Sequence, residues 1–147
     1  MLNQPTSEDF DARQRALDTN KSFVVSAPAG SGKTSLLVDR FLALLARVEE
    51  PEEIVAITFT RKAASEMRER VITKIFDENN AIAVSIQDRD RERNWNLRKQ
   101  IHRLKIQTID SFAAELLRSI PLQESIIGIQ VTDQPDILYK EAAELLI

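Results

Sequence analysis

A chain of 147 residues with no cysteine excludes disulfide frameworks, thiolate catalysis and cysteine metal sites, and it is long enough for one domain with a sizeable core. Its 20 basic and 23 acidic side chains leave a formal net charge of -3, so local rather than overall charge must decide whether nucleic acid is a partner. The opening residues are acidic without an apolar core segment and no later run reaches membrane-spanning length, which predicts a soluble, cytoplasmic protein with no membrane association.

In chain order, residues 1–11 read as a loose or locally packed arm, and Ala12 to Asn20 as a short helix capped by Asp11. Phe23 to Ala27 then reads as a buried strand leading into Ala27-Pro28-Ala29-Gly30-Ser31-Gly32-Lys33-Thr34, with Ser35 opening a helical pattern. A glycine-rich turn between strand and helix that ends in Lys-Thr is a phosphate-binding loop. Its backbone N–H groups cradle phosphates, and the helix N-terminus adds unpaired donors and partial positive charge. Lys33 is expected to reach the terminal phosphates, and the Thr34 hydroxyl to ligate Mg²⁺. The general pattern opens on glycine where this chain has Ala27; alanine is unsuited to positive φ, so either the position needs no such conformation or the match is weaker.

Leu36, Leu37, Phe41, Leu44, Leu45 and Val48 recur at helical spacing up to Glu50-Pro51, Ile54 to Phe59 forms a second apolar strand, and Lys62 to Phe76 a helix with Ala63, Met67, Val71 and Ile75 on one stripe. Strand, helix, strand, helix in this order predicts an α/β domain with a parallel sheet and crossover helices. The polar middle, with its mixed-charge block Asp88 to Arg93, reads as an exposed helix and loop lying over the domain and pinned by Trp95. Its local basic excess up to Lys105 suits either nucleic acid or a solvated surface. His102 stands alone, which argues against a metal role. Ile106 to Ile109 predicts a third strand, followed by Asp110-Ser111 and a helix from Phe112 to about Leu117, stopped by Pro121. Farther on, 126–131 reads as a strand or apolar loop, and 137–147 as a helical stripe running uncapped into the C-terminus, as in a chain that stops where a longer protein continues. A complete ATPase also needs an acidic strand-end residue for Mg²⁺ and the attacking water. Only Asp110 follows a strand, where a turn or helix cap is its plainer role.

Three of these segments, in this order, resemble superfamily 1 DNA helicases of the UvrD/Rep class: Ala27 to Thr34, the stretch Ala56-Ile57-Thr58-Phe59-Thr60-Arg61-Lys62-Ala63-Ala64-Ser65-Glu66-Met67-Arg68-Glu69-Arg70, and Gln107-Thr108-Ile109-Asp110-Ser111-Phe112. Asp110, where many members have His, and Arg103-Leu104-Lys105-Ile106 before it look most like the RecB-like or AddA-like helicase subunits of exonuclease V. Gln14 lies where the family's adenine-reading glutamine stands. The resemblance implies an ATP- and Mg²⁺-dependent motor of double-strand-break repair, moving 3′ to 5′ on single-stranded DNA next to a duplex junction. It implies that residues 1–120 are the N-terminal part of a P-loop NTPase (RecA-like) three-layer domain and that 121–147 begin an inserted helical subdomain. The rest of the motor, including a second RecA-like domain, and a nuclease or helicase partner subunit would complete it.

Thr58, Phe59, Thr60 and Arg61, with Thr108 and Asp110, would line the DNA track at the strands' carboxyl ends, where ligands of parallel sheets gather. Phe59 either stacks on a base or fills the core; Thr60 and Arg61 suit phosphates. Asp110 either accepts from a base amine or caps the next helix. A nucleotide-binding or assembly module without turnover of its own is the alternative function.

Overall fold

The computed structural model describes residues 7–77 and 79–119; the elements expected over 126–131 and 137–147 lie outside them. The chain divides into two compact units, Met1–Ala114 and Glu115–Ile147, and the sheet and core belong to the first. The described helices are α1 (Ser7–Ala16), α2 (Lys33–Leu45), α3 (Arg61–Ile75), α4 (Ala81–Glu92) and α5 (Ile109–Ser119); the strands are β1 (Val55–Thr58) and β2 (Lys105–Thr108).

The two strands pair in parallel, with Val55 beside Lys105 and Thr58 beside Thr108. Parallel neighbours require a long crossover, and here α3, α4 and the connection after them supply it. Side chains alternate across the strands: Ile106 and Thr108 are buried on one face, while Val55 and Ile57 on the other are about half exposed. Helix α3 packs on both strands, and Arg68 donates to the Ile106 carbonyl. The core joins Val38, Phe41, Leu42 and Leu45 of α2 to Met67, Val71 and Ile75 of α3, with Ile86, Trp95, Leu97, Leu104 and Ile106 closing it.

The middle segment is anchored as expected, but more deeply. Trp95 is wholly buried and its indole N–H donates to the Glu49 carbonyl at 2.9 Å. Asn94 and Asn96 on either side take left-handed φ values of 54° and 61°, a conformation asparagine tolerates better than most residues. Asp90 completes the turn by accepting from the Leu97 N–H at 2.9 Å.

Three expectations are corrected. Phe23 to Ala27 joins no sheet among the described residues, which hold two parallel strands rather than three; a strand exists through its neighbour's backbone groups, none pairs here, and Val24 is 99% exposed. Helix α1 starts at Ser7, so Asp11 lies inside it rather than capping it. Helix α5 starts at Ile109, and its first turn is capped by Thr108, whose hydroxyl accepts from the Ser111 N–H at 3.2 Å; Asp110 lies within that turn and is not the cap.

Arg103, with 17% of its side chain exposed, binds Glu52 through Nε at 2.6 Å and Nη2 at 2.9 Å, Glu50 at 2.6 Å and the Trp95 carbonyl at 3.2 Å. This hydrogen bonding holds the Glu52 carboxyl below its ordinary value of 4.5. A depressed carboxylate contributes stability above its unfolded pKa and loses it as pH falls through the folded one. Arg103→Ala is therefore expected to lower stability by about 1–3 kcal/mol near neutral pH, with a smaller deficit in acid below 4.5. Glu52 is partly exposed, so solvent screening keeps its share modest. Urea midpoints of both proteins at the two pH values check this; an equal deficit at both would refute the linkage.

Candidate functional site

The loop before α2 is shaped by two glycines in the left-handed region, Gly30 at φ 77° and Gly32 at φ 82°. An added Cβ at Gly30 would meet nothing within 4 Å, so the requirement there is conformational. Ala27 is not among the described residues with positive φ, so its substitution for glycine costs the loop nothing in backbone conformation. Gly32 forms the N-cap of α2 without a side-chain cap. Among the described residues, the N–H groups of Gly32, Lys33, Thr34 and Ser35 make no hydrogen bond to protein, and the buried Ser31 hydroxyl has no partner. Unpaired donors at a helix start, with the partial positive charge of its dipole, are the chemistry that suits phosphate oxygens. The Lys33 ammonium curls over the loop and donates to the Ala27 carbonyl at 2.6 Å and the Pro28 carbonyl at 2.5 Å. Thr34 and Ser35 are exposed at the helix start. No group of three or more His, Asp or Glu able to hold a metal occurs among the described residues.

Beside the loop lies a cleft of about 390 Å³ between α1 and residues 23–27, lined among others by Arg13, Arg15, Phe23, Val25, Ala27, Ser31 and Lys33. Gln14 is exposed on α1 and does not line this cleft, although both its neighbours do. Arg40 of α2 fixes the connection between α1 and the extended segment. It donates to the carbonyls of Ala16 at 2.6 Å, Asp18 at 3.1 Å and Lys21 at 2.7 Å, and lies 5.3 Å from the Phe23 ring centre.

The strand register brings the other two motifs side by side, since Thr58 and Thr108 are partners at the carboxyl ends of β1 and β2. Phe59 projects there, 89% exposed, and is no core residue. Arg61 is exposed at the start of α3. Thr60 caps α3 by accepting from the Ala63 N–H at 3.1 Å, and Thr58 donates to the Thr60 carbonyl at 3.1 Å, so both hydroxyls shape the turn that presents Phe59. Thr108 is buried with its hydroxyl 2.9 Å from that of Ser111, whereas Asp110 is exposed.

The basic excess of the middle segment is largely engaged internally. Arg89 reaches the Arg47 and Val48 carbonyls and lies over Trp95, Arg91 pairs with Asp88, Arg93 with Glu49 and Arg103 with Glu50 and Glu52, while Arg98 lies over Phe76. Sequence reasoning missed Arg13 and Arg40, whose acceptors are mostly backbone carbonyls about twenty residues away, a contact that leaves no residue pattern. No helix among the described residues is long and apolar enough to cross a membrane.

Residues 9–141 match the family described as the UvrD/REP helicase N-terminal domain. The chain is similar to the AddA subunit of the ATP-dependent helicase/nuclease of Desulfitobacterium hafniense, with 38% identity over 110 residues, covering 73% of this chain and 8% of that protein. The protein of the same name from Clostridium beijerinckii is 34% identical over 116 residues, 74% of this chain and 9% of its own. That from Acetivibrio thermocellus is 35% identical over 134 residues, 86% and 10% respectively. The chain thus spans about a tenth of the length of these relatives.

Proposed function

Since the chain belongs to the UvrD/REP helicase N-terminal domain family, we propose that it is the ATP-binding start of a DNA helicase of the AddA kind. In this reading residues 27–35 hold the triphosphate of ATP, Gln14 reads the adenine edge through an amide that donates and accepts, and Thr58 to Arg61 with Thr108 and Asp110 line a single-stranded DNA track. Residues 1–120 are then part of a three-layer RecA-like domain and 121–147 the beginning of a helical insertion. The parent enzyme would act in double-strand-break repair, moving 3′ to 5′ with a second motor domain and a nuclease or helicase partner.

The residues of the loop fit the ligand. Lys33 would exchange two carbonyl acceptors for phosphate oxygens, a stronger charge-assisted pairing. The free N–H groups of residues 32–35 would take the remaining oxygens. Thr34 would hold Mg²⁺, which when bound bridges phosphate oxygens and offsets their charge. The chain offers no clear acidic strand-end residue to activate water, so binding rather than turnover is the part assigned to it; the reading as an ATP-binding or assembly module shares this feature.

The observation that carries the DNA half is the register of β1 and β2, which sets the exposed Phe59 and Arg61 beside Asp110 at one sheet edge. A base stacking on an aromatic side chain is worth about 1–3 kcal/mol. Phe59→Ala should accordingly weaken binding of a labelled single-stranded oligonucleotide by about 5- to 150-fold. Its thermal midpoint should barely move, because the ring packs on little. Fluorescence anisotropy in constant salt checks this, and unchanged affinity would remove Phe59 from the track.

A further inference from the structure

Arg13 is the residue for which the proposed chemistry has no role and the structure has a definite place. Its Nε donates to Asp9 at 2.9 Å, one turn earlier on α1, and its Nη2 donates to the Ser31 carbonyl at 2.5 Å, eighteen residues away. A Cβ built on Gly32 would lie 3.4 Å from Arg13 Nη1, so the guanidinium sits flush against the loop at the residue that begins α2. None of the described peptide bonds is cis. In a trans peptide the carbonyl and the following N–H point in opposite directions. Fixing the Ser31 carbonyl toward Arg13 thus fixes the Gly32 N–H away from it, and that N–H has no protein acceptor.

We propose that Arg13, oriented by Asp9, is a positioning residue that sets the Ser31–Gly32 peptide so that the phosphate loop presents its N–H groups to the anion before nucleotide arrives. The proposal rests on the reading of residues 27–35 as a triphosphate site. It makes α1 a brace for the phosphate loop as well as the carrier of Gln14, and it assigns the two neighbours to different parts of the ligand. A residue acting through the loop affects every ligand with a triphosphate; one that reads adenine affects only ligands with the base.

Titration of the 147-residue chain with Mg-ATP and, separately, with magnesium tripolyphosphate distinguishes these roles. Arg13→Ala should weaken both ligands by the same factor, about tenfold, the scale of one lost charge-assisted hydrogen bond. Gln14→Ala should weaken ATP alone. Asp9→Ala, which leaves the loop untouched, should weaken both ligands less and have no further effect when added to Arg13→Ala. It also serves should Arg13→Ala fold poorly, and Arg13→Lys should recover part of the affinity through its remaining donor. If Arg13→Ala spares tripolyphosphate, or if Asp9→Ala adds its full effect on top of it, the positioning role is overturned. Binding of both ligands that survives Lys33→Ala would overturn the triphosphate site itself, and the role of Arg13 with it.

Discussion

Replacing Trp95 with alanine is expected to cost about 3–5 kcal/mol, the range for truncating a large buried aromatic residue. Domains of this size are stable by only about 5–15 kcal/mol, so the variant would keep a fraction of the margin. The reasons are local and separable. The ring is wholly buried in the core that joins α2 to α3, and its loss leaves a cavity between elements that close on it. Its indole N–H is the partner of the Glu49 carbonyl, and Arg89 lies 5.9 Å from the ring centre. Trp95→Phe should fall between, retaining most of the apolar contact while leaving the Glu49 carbonyl unpaired at about 1–3 kcal/mol. Urea unfolding measures both variants; a loss under about 1 kcal/mol for Trp95→Ala, well below the usual cost of such truncations, would mean that the middle segment is not a keystone of the fold.

Lys33→Ala is expected to have the largest effect on ligand binding. Two charge-assisted contacts to phosphate oxygens, each worth about 1.5–3 kcal/mol, correspond to a loss of at least about a hundredfold in affinity. Folding should change little, because the ammonium bonds two carbonyls of an exposed loop and no core residue. This separation of binding from stability is what distinguishes a ligand-holding lysine from one that merely closes the loop. A matched fall in both would assign Lys33 to loop closure.

Much of this was legible in the sequence because it depends on neighbours along the chain. Helical spacing located α2 and α3 to within a few residues, and the apolar run before Thr60 located β1. The Gly-Ser-Gly-Lys-Thr pattern marked the loop because only glycine readily supplies the φ values near +80° found at Gly30 and Gly32. Trp95 could be assigned as a pin because a lone large aromatic residue in a charged segment has little reason to be there except burial. What escaped depends on distant partners. Phe23 to Ala27 has strand composition, yet pairing is a property of two segments and no described residue provides the second. Thr108 displaced Asp110 as the cap because α5 begins earlier than its apolar pattern suggests. Arg13 differs in no sequence feature from any other basic residue of a polar helix; only the approach of the Ser31 carbonyl gives it a role.

Isothermal titration of the chain with Mg-ATP, run beside Lys33→Ala under the same conditions, tests most directly whether residues 27–35 form a nucleotide site. A saturable isotherm with one site per chain, lost in the variant while its unfolding midpoint stays in place, is the expected result. No saturable heat from the unmodified chain, or an isotherm that Lys33→Ala leaves unchanged, would contradict it.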